Sequence, residues 1–132
     1  MPHPRTLRIS ARERWSHTGF QLEKNAQYRI TVAPNQHWYD FFIKYGPDGG
    51  ITGPLQRKFA DKLRFKGDAA RPAQYFTLIG TIGESLEHAF IIGSGTVEFT
   101  APADGELVCF ANDVNAAYWN NFGEMDIAVE RL

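Results

Sequence analysis

At 132 residues the chain has the length of one domain with two packed layers, and its composition (43% hydrophobic, 14% aromatic, 22% charged) excludes a disordered or coiled-coil segment. Fourteen Lys and Arg against fifteen Asp and Glu leave a net charge of -1, which excludes a global field drawing the protein to nucleic acid or an acidic membrane. The lone Cys109 closes no intrachain disulfide, so folding does not depend on an oxidising compartment.

The opening MPHPRTLRIS lacks the apolar stretch of a secretory signal, and no apolar run reaches the length of a spanning helix. A soluble product made in the cytoplasm, without a signal peptide and without membrane insertion, is expected. Along the chain, apolar residues rich in β-branched and aromatic types recur between Gly, Pro, Asn and Asp, the spacing of a sandwich or barrel. Strands are predicted over residues 7–11, 19–22, 28–33, 39–43, 75–82, 89–92, 96–100, 106–111 and 124–130. Tyr28, Ile30 and Val32 alternate with Arg29 and Thr31, and Met125, Ile127 and Val129 alternate with Asp126, Ala128 and Glu130, so these strands are half-buried. Leu107, Val108, Cys109 and Phe110 are apolar on both faces, which predicts a central strand.

Residues 51–74 interrupt the rhythm. Pro54 at a helix N1 position, with Leu55, Phe59 and Leu63 four residues apart, predicts a short helical or irregular insertion. Arg57, Lys58, Lys62, Arg64 and Lys66 lie there. With Asp61 and Asp68 interleaved they read as a solvated face rather than a nucleic-acid patch. His3, His17, His37 and His88 have no spacing that suits zinc. Cys109, in an apolar run, reads as a small core residue and not as a nucleophile. Trp15 and Trp38 read as packing anchors.

Chemistry concentrates in residues 112–121, Asn-Asp-Val-Asn-Ala-Ala-Tyr-Trp-Asn-Asn. Calcium takes about six to eight oxygens from carboxylates, amides, carbonyls and water. Asp113, Asn120 and Asn121 are such donors, and Asn120 and Asn121 converge on one ion only where the chain leaves the extended conformation. A single carboxylate leaves a bound ion with net positive charge and open positions, which suits the vicinal hydroxyls of a sugar, while Trp119 or Tyr118 offers a ring to its carbon face. Composition alone reads the same stretch as an ordinary turn rich in Asn and Asp.

The chain resembles the PA-I galactophilic lectin family of bacterial calcium-dependent galactose-binding proteins. The likeness is carried by Asn112-Asp113-Val114, Tyr118, Asn120-Asn121 and Gly123, in the spacing of the family's YNDVPGTYGNNSGSF stretch. Trp15 to Gly19, Tyr45-Gly46-Pro47-Asp48-Gly49, Leu78-Ile79-Gly80-Thr81-Ile82-Gly83 and Ala101-Pro102 before Gly105-Glu106-Leu107 support it. The resemblance implies a jelly-roll-like sandwich of two antiparallel sheets over residues 1–132. It implies that Asp113, Asn120 and Asn121 ligate calcium through side chains, that Tyr39 and Ala117 do so through carbonyls, and that Val114 and Gln56 line a sugar site with Asp113, Asn120 and Asn121. Three departures stand out: Gly53 occupies the place of the family's sugar-contacting His, Trp119 replaces a Gly, and Asn115-Ala116 replaces Pro-Gly. Trp119 is then either a stacking platform or a plug.

The expectation is a carbohydrate-binding protein, not an enzyme, whose weak sites gain from avidity in a homo-oligomer. A hydrolase using Asp113 and Asp126 is disfavoured because Asp126 faces solvent in the alternation above. The alternative is a degenerate lectin fold kept as a structural or protein-interaction module.

Overall fold

The computed structural model describes residues 4–50 and 62–132. In chain order its strands are β1 (Arg5–Ser10), β2 (Ser16–Leu22), β3 (Gln27–Val32), β4 (Trp38–Asp40), β5 (Ile43–Tyr45), β6 (Leu78–Ile82), β7 (Phe90–Ile91), β8 (Gly95–Thr100), β9 (Gly105–Ala111), β10 (Asn121–Phe122) and β11 (Glu124–Arg131). Two four-stranded sheets, ordered β1-β11-β3-β8 and β2-β9-β6-β7, enclose one core, and β10-β4-β5 form a separate small sheet. Every paired neighbour is antiparallel. The predicted all-β sandwich is the fold that forms.

The alternation read from sequence sets the layers. Tyr28, Ile30 and Val32 on β3 and Met125, Ile127 and Val129 on β11 turn inward, where they meet Leu107, Cys109 and Ala111 of β9. Strand β9 is buried on both faces, as its apolar run predicts. Phe110, on its other face, lies under Trp15, with ring centres 5.7 Å apart and planes nearly perpendicular. Cys109 is fully buried and its thiol is pushed above its ordinary range by that burial, consistent with a packing role.

Two local predictions need correction. Residues 39–43 do not form one strand: β4 and β5 pair as a hairpin, with Asp40 opposite Ile43 and the two-residue turn Phe41-Phe42 between them. Phe41 takes φ 56°, a conformation that two-residue hairpins normally give to Gly or Asn, so aromatic composition hid the turn. Second, Arg64 is not on a solvated face. Its guanidinium lies 4.0 Å from the centre of the Phe110 ring, 4.4 Å from Trp15 and 5.2 Å from Tyr118, and donates to the Arg14 carbonyl and the Tyr118 hydroxyl, both at 2.7 Å. Of the predicted insertion, Pro54, Leu55, Gln56, Arg57, Lys58 and Phe59 lie outside the described residues. Residues 62–74 are irregular, anchored by bridges Leu63 to Val114 and Gly67 to Pro72. No helix among the described residues is long and apolar enough to cross a membrane.

Candidate functional site

The segment between β9 and β10 is held in place before any of its donors is used. Asn112 accepts from the Phe65 amide (3.1 Å) through its side-chain oxygen and donates to the carbonyls of Phe65 (2.8 Å) and Gln74 (3.0 Å), while its backbone pairs with Phe76 and Thr77. Its amide is therefore fully occupied in stapling residues 62–77 to the loop. The Tyr118 hydroxyl donates to the Ala111 carbonyl and accepts from Arg64, which folds the loop back on the end of β9. Burial pushes that phenol up to about 12, with Arg64 opposing the rise. A 3-10 turn, Tyr118–Asn120, then takes the chain out of the extended form, as convergence of Asn120 and Asn121 requires. Gly123 follows with φ 97°, and a Cβ there would stand 3.1 Å from the Trp38 backbone, so the return into β11 requires glycine.

Asp113 is completely buried. Its Oδ1 accepts from the Tyr75 hydroxyl (2.9 Å) and its own neighbour's amide, Val114 N (2.7 Å), and its Oδ2 accepts from Asn121 Nδ2 (3.0 Å). Asn121, also fully buried, donates from the same nitrogen to the Ala11 carbonyl (3.0 Å). Both partners of that nitrogen are acceptors, which fixes the amide's orientation and leaves its oxygen facing away from them. That oxygen, Asn121 Oδ1, and Asn120 Oδ1 are the two buried side-chain polar atoms among the described residues without a hydrogen-bond partner. An orphaned buried acceptor costs about 1 to 3 kcal/mol, so two side by side in sequence call for an electrophile.

Sequence reasoning missed two participants, Asp40 and Tyr75. Strand β4 pairs with β10 so that Asp40 stands opposite Asn121, and Tyr39 opposite Phe122. Asp40 and Asn121 point inward while Tyr39 and Phe122 are exposed. The Tyr75 hydroxyl reaches Asp40 Oδ2 at 3.2 Å as well as Asp113. Burial raises the Asp40 carboxyl above its ordinary range, with the Tyr75 hydrogen bond opposing. Burial also raises Asp113, against the hydrogen bonds from Asn121, Tyr75 and Val114, and the charge of Asp40 adds to the rise. Tyr75 is pushed far up by burial and by both carboxylates. The alternation of Trp38 and Asp40 on one face of a short strand was the signal that would have found Asp40. Tyr75 is set by the turn before it: a Cβ on Gly49 would overlap the Tyr75 carbonyl, which accepts from the Gly50 amide.

The remaining predicted residues fall as follows. Tyr39 immediately precedes Asp40 on β4, and Ala117 heads the 3-10 turn. Val114 is half-buried against the core, and Trp119 is 70% exposed, projecting into solvent rather than into the protein. Gln56 and Gly53 lie outside the described residues. Asp126 sits on β11, where it accepts from Arg8, on a strand that does not contribute to this cluster. Among the described residues no three His, Cys, Asp or Glu side chains converge, so the donors gathered here are carboxylate and amide oxygens. Such a donor set fits a hard cation such as calcium and does not fit zinc.

No family model matches the chain. Lectin A of Photorhabdus laumondii is 36% identical to it over 92 residues, a match covering 67% of this chain and 64% of that protein's length. Among solved structures, the EclA N-terminal domain, a PllA-like lectin, superposes with a TM-score of 0.65 at 20% identity over 96% of this chain and 95% of the other. The fold is shared with a PllA-like lectin. At that identity the likeness speaks for the architecture, whereas the residues of the site must speak for themselves.

Proposed function

We propose that the chain is a calcium-dependent carbohydrate-binding protein without catalytic activity, taking galactose or a related sugar. The observation that carries the reading is the pair of orphaned oxygens, Asn120 Oδ1 and Asn121 Oδ1, on a loop whose Asn121 amide nitrogen is bonded to the buried carboxylate of Asp113. The similarity to Lectin A supports it from a separate direction. Asp113, Asn120 and Asn121 would hold the ion through side chains, and Tyr39 and Ala117 through their carbonyls. When bound, the ion supplies a Lewis-acidic contact for sugar hydroxyls. Asp113, Asn120 and Asn121 would then accept from those hydroxyls, and Val114 would border the sugar. The exposed Trp119 ring offers an apolar face at the rim, which suits a platform better than a plug. Weak single sites of this kind gain from avidity, which favours a homo-oligomer.

The test is melting temperature in EDTA, then in millimolar calcium, then in calcium with galactose. A ligand at about one hundred times its dissociation constant stabilises the fold by about 2.7 kcal/mol. Calcium is expected to raise the midpoint by several degrees, and Asp113→Asn to abolish that rise. No shift with calcium in the wild-type protein would overturn the reading. The exposed rings of Phe41, Phe42, Trp119 and Phe122 favour one alternative, a lectin fold kept as a protein-interaction module. Stabilisation by calcium with no sugar bound on a glycan array would select it.

A further inference from the structure

Resting on the calcium reading above, we infer that Asp40 is a second carboxylate ligand of the same ion, so that the protein supplies two negative charges to the site rather than one. Asp40 lies across the β4–β10 ladder from Asn121, on the inward face that also carries the orphaned Asn121 Oδ1. Cross-strand partners place their side chains side by side, so the carboxylate and the unpaired amide oxygen belong to one small volume. The Tyr75 hydroxyl ties this volume to Asp113, at 3.2 Å from Asp40 Oδ2 and 2.9 Å from Asp113 Oδ1.

That hydroxyl carries one hydrogen, so at any moment it donates to one carboxylate only. The other is left beside an oxygen. Among the described residues no ion pair involves either Asp40 or Asp113. Two buried carboxylates without a cation repel each other and have each lost hydration, whereas a divalent ion between them turns both costs into attraction and leaves the assembly neutral.

The backbone shows that Asp40 is held there deliberately. It leads into the Phe41-Phe42 turn, where Phe41 adopts φ 56° and its amide donates to the Asn120 carbonyl at 2.9 Å. A bulky residue in the left-handed region is costly and persists where the surroundings enforce it. Here the enforcing bond joins the end of β4 to the loop that carries the other ligands, and so fixes Asp40 relative to Asn120 and Asn121.

The experiment is calcium titration by calorimetry on wild type, Asp40→Asn and Asp40→Glu, with melting in EDTA as a check on folding. Asp40→Asn is expected to bind calcium at least about tenfold more weakly than wild type, because ligand charge count sets affinity at oxygen sites. Its melting point in EDTA should be no lower than wild type, since a buried like charge has been removed. Asp40→Glu keeps the charge and should bind more tightly than Asp40→Asn, a comparison that survives if both variants lose some stability. Wild-type binding with equal affinities for the Asn and Glu variants overturns the role of Asp40 and leaves the proposed function standing. No calcium binding by wild type overturns both.

Discussion

Among the described residues, two places set a ring-bearing side chain between two carboxylates, and they solve the problem of like charge differently. On the outside of the second sheet, His17 on β2 contacts Glu106 of β9 at 2.7 Å and Glu84, just after β6, at 2.6 Å. At the loop after β9, Tyr75 stands between Asp113 and Asp40. An imidazole can take a second proton and become the missing cation, whereas a phenol has only its one neutral hydrogen to give. The titrations move in opposite directions accordingly: the His17 hydrogen bond lowers Glu106, while burial raises Asp113 and Asp40. The outer cluster draws a cation from the protein itself, and the inner one is left wanting positive charge, in a region where two buried amide oxygens also lack a partner.

The contrast is broken most severely at Asn121. Replacing it with Leu removes the donor to both Asp113 Oδ2 and the Ala11 carbonyl at a fully buried position, and should cost about 2 to 4 kcal/mol, read as a lowered urea midpoint in EDTA. A cost below about 1 kcal/mol would show that the inner cluster is wetter than its geometry implies. A smaller effect is expected at Tyr75. Tyr75→Phe should cost about 1 kcal/mol in EDTA, and less in an Asp40→Asn background, where the hydroxyl no longer separates two carboxylates. Strict additivity of the two substitutions would mean that Asp40 and Asp113 do not interact through it.

The sandwich was legible because it is written in local alternation: β3, β9 and β11 each declare their buried faces within six or seven residues. The inner cluster was only half legible. Asp113, Asn120 and Asn121 share one loop, and their oxygen-rich spacing can be read without a fold. Asp40 and Tyr75 arrive from β4 and from the segment before β6: the β4–β10 register brings in Asp40, and the turn at Gly49 and Gly50 sets Tyr75. Strand β10, two residues long, is too short to declare a period, and the Phe41-Phe42 turn uses residues that ordinarily signal strand. Asn112 shows the converse failure. By composition it is one more oxygen donor, yet its amide is spent on backbone groups of Phe65 and Gln74, a use that no spacing rule distinguishes.

The smallest effect belongs to the outer cluster, and it separates the two by pH and by salt. The hydrogen bond to Glu106, and then that to Glu84, raise His17 above its ordinary 6.5, so its contribution is fully present below that value and is lost as pH rises through the raised one. Glu106 is lowered from 4.5 by His17 and by the Gly19 amide, so its contribution is present above that value and is lost as pH falls through the lowered one. The clasp is therefore strongest between the two ordinary values. With His17 and Glu84 about half exposed, solvent screens most of its strength. His17→Gln should lower the melting point by about one or two degrees at about pH 5.5 and by nothing measurable at about pH 9. In about 1 M salt the difference at the lower pH should shrink as well, because exposed charges are screened over about 3 Å. Melting curves of the two proteins across that pH range, all in EDTA, provide the check. A difference that stays constant with pH would show that His17 acts by packing and not by charge, and the outer cluster would then lack the cation that sets it apart from the inner one.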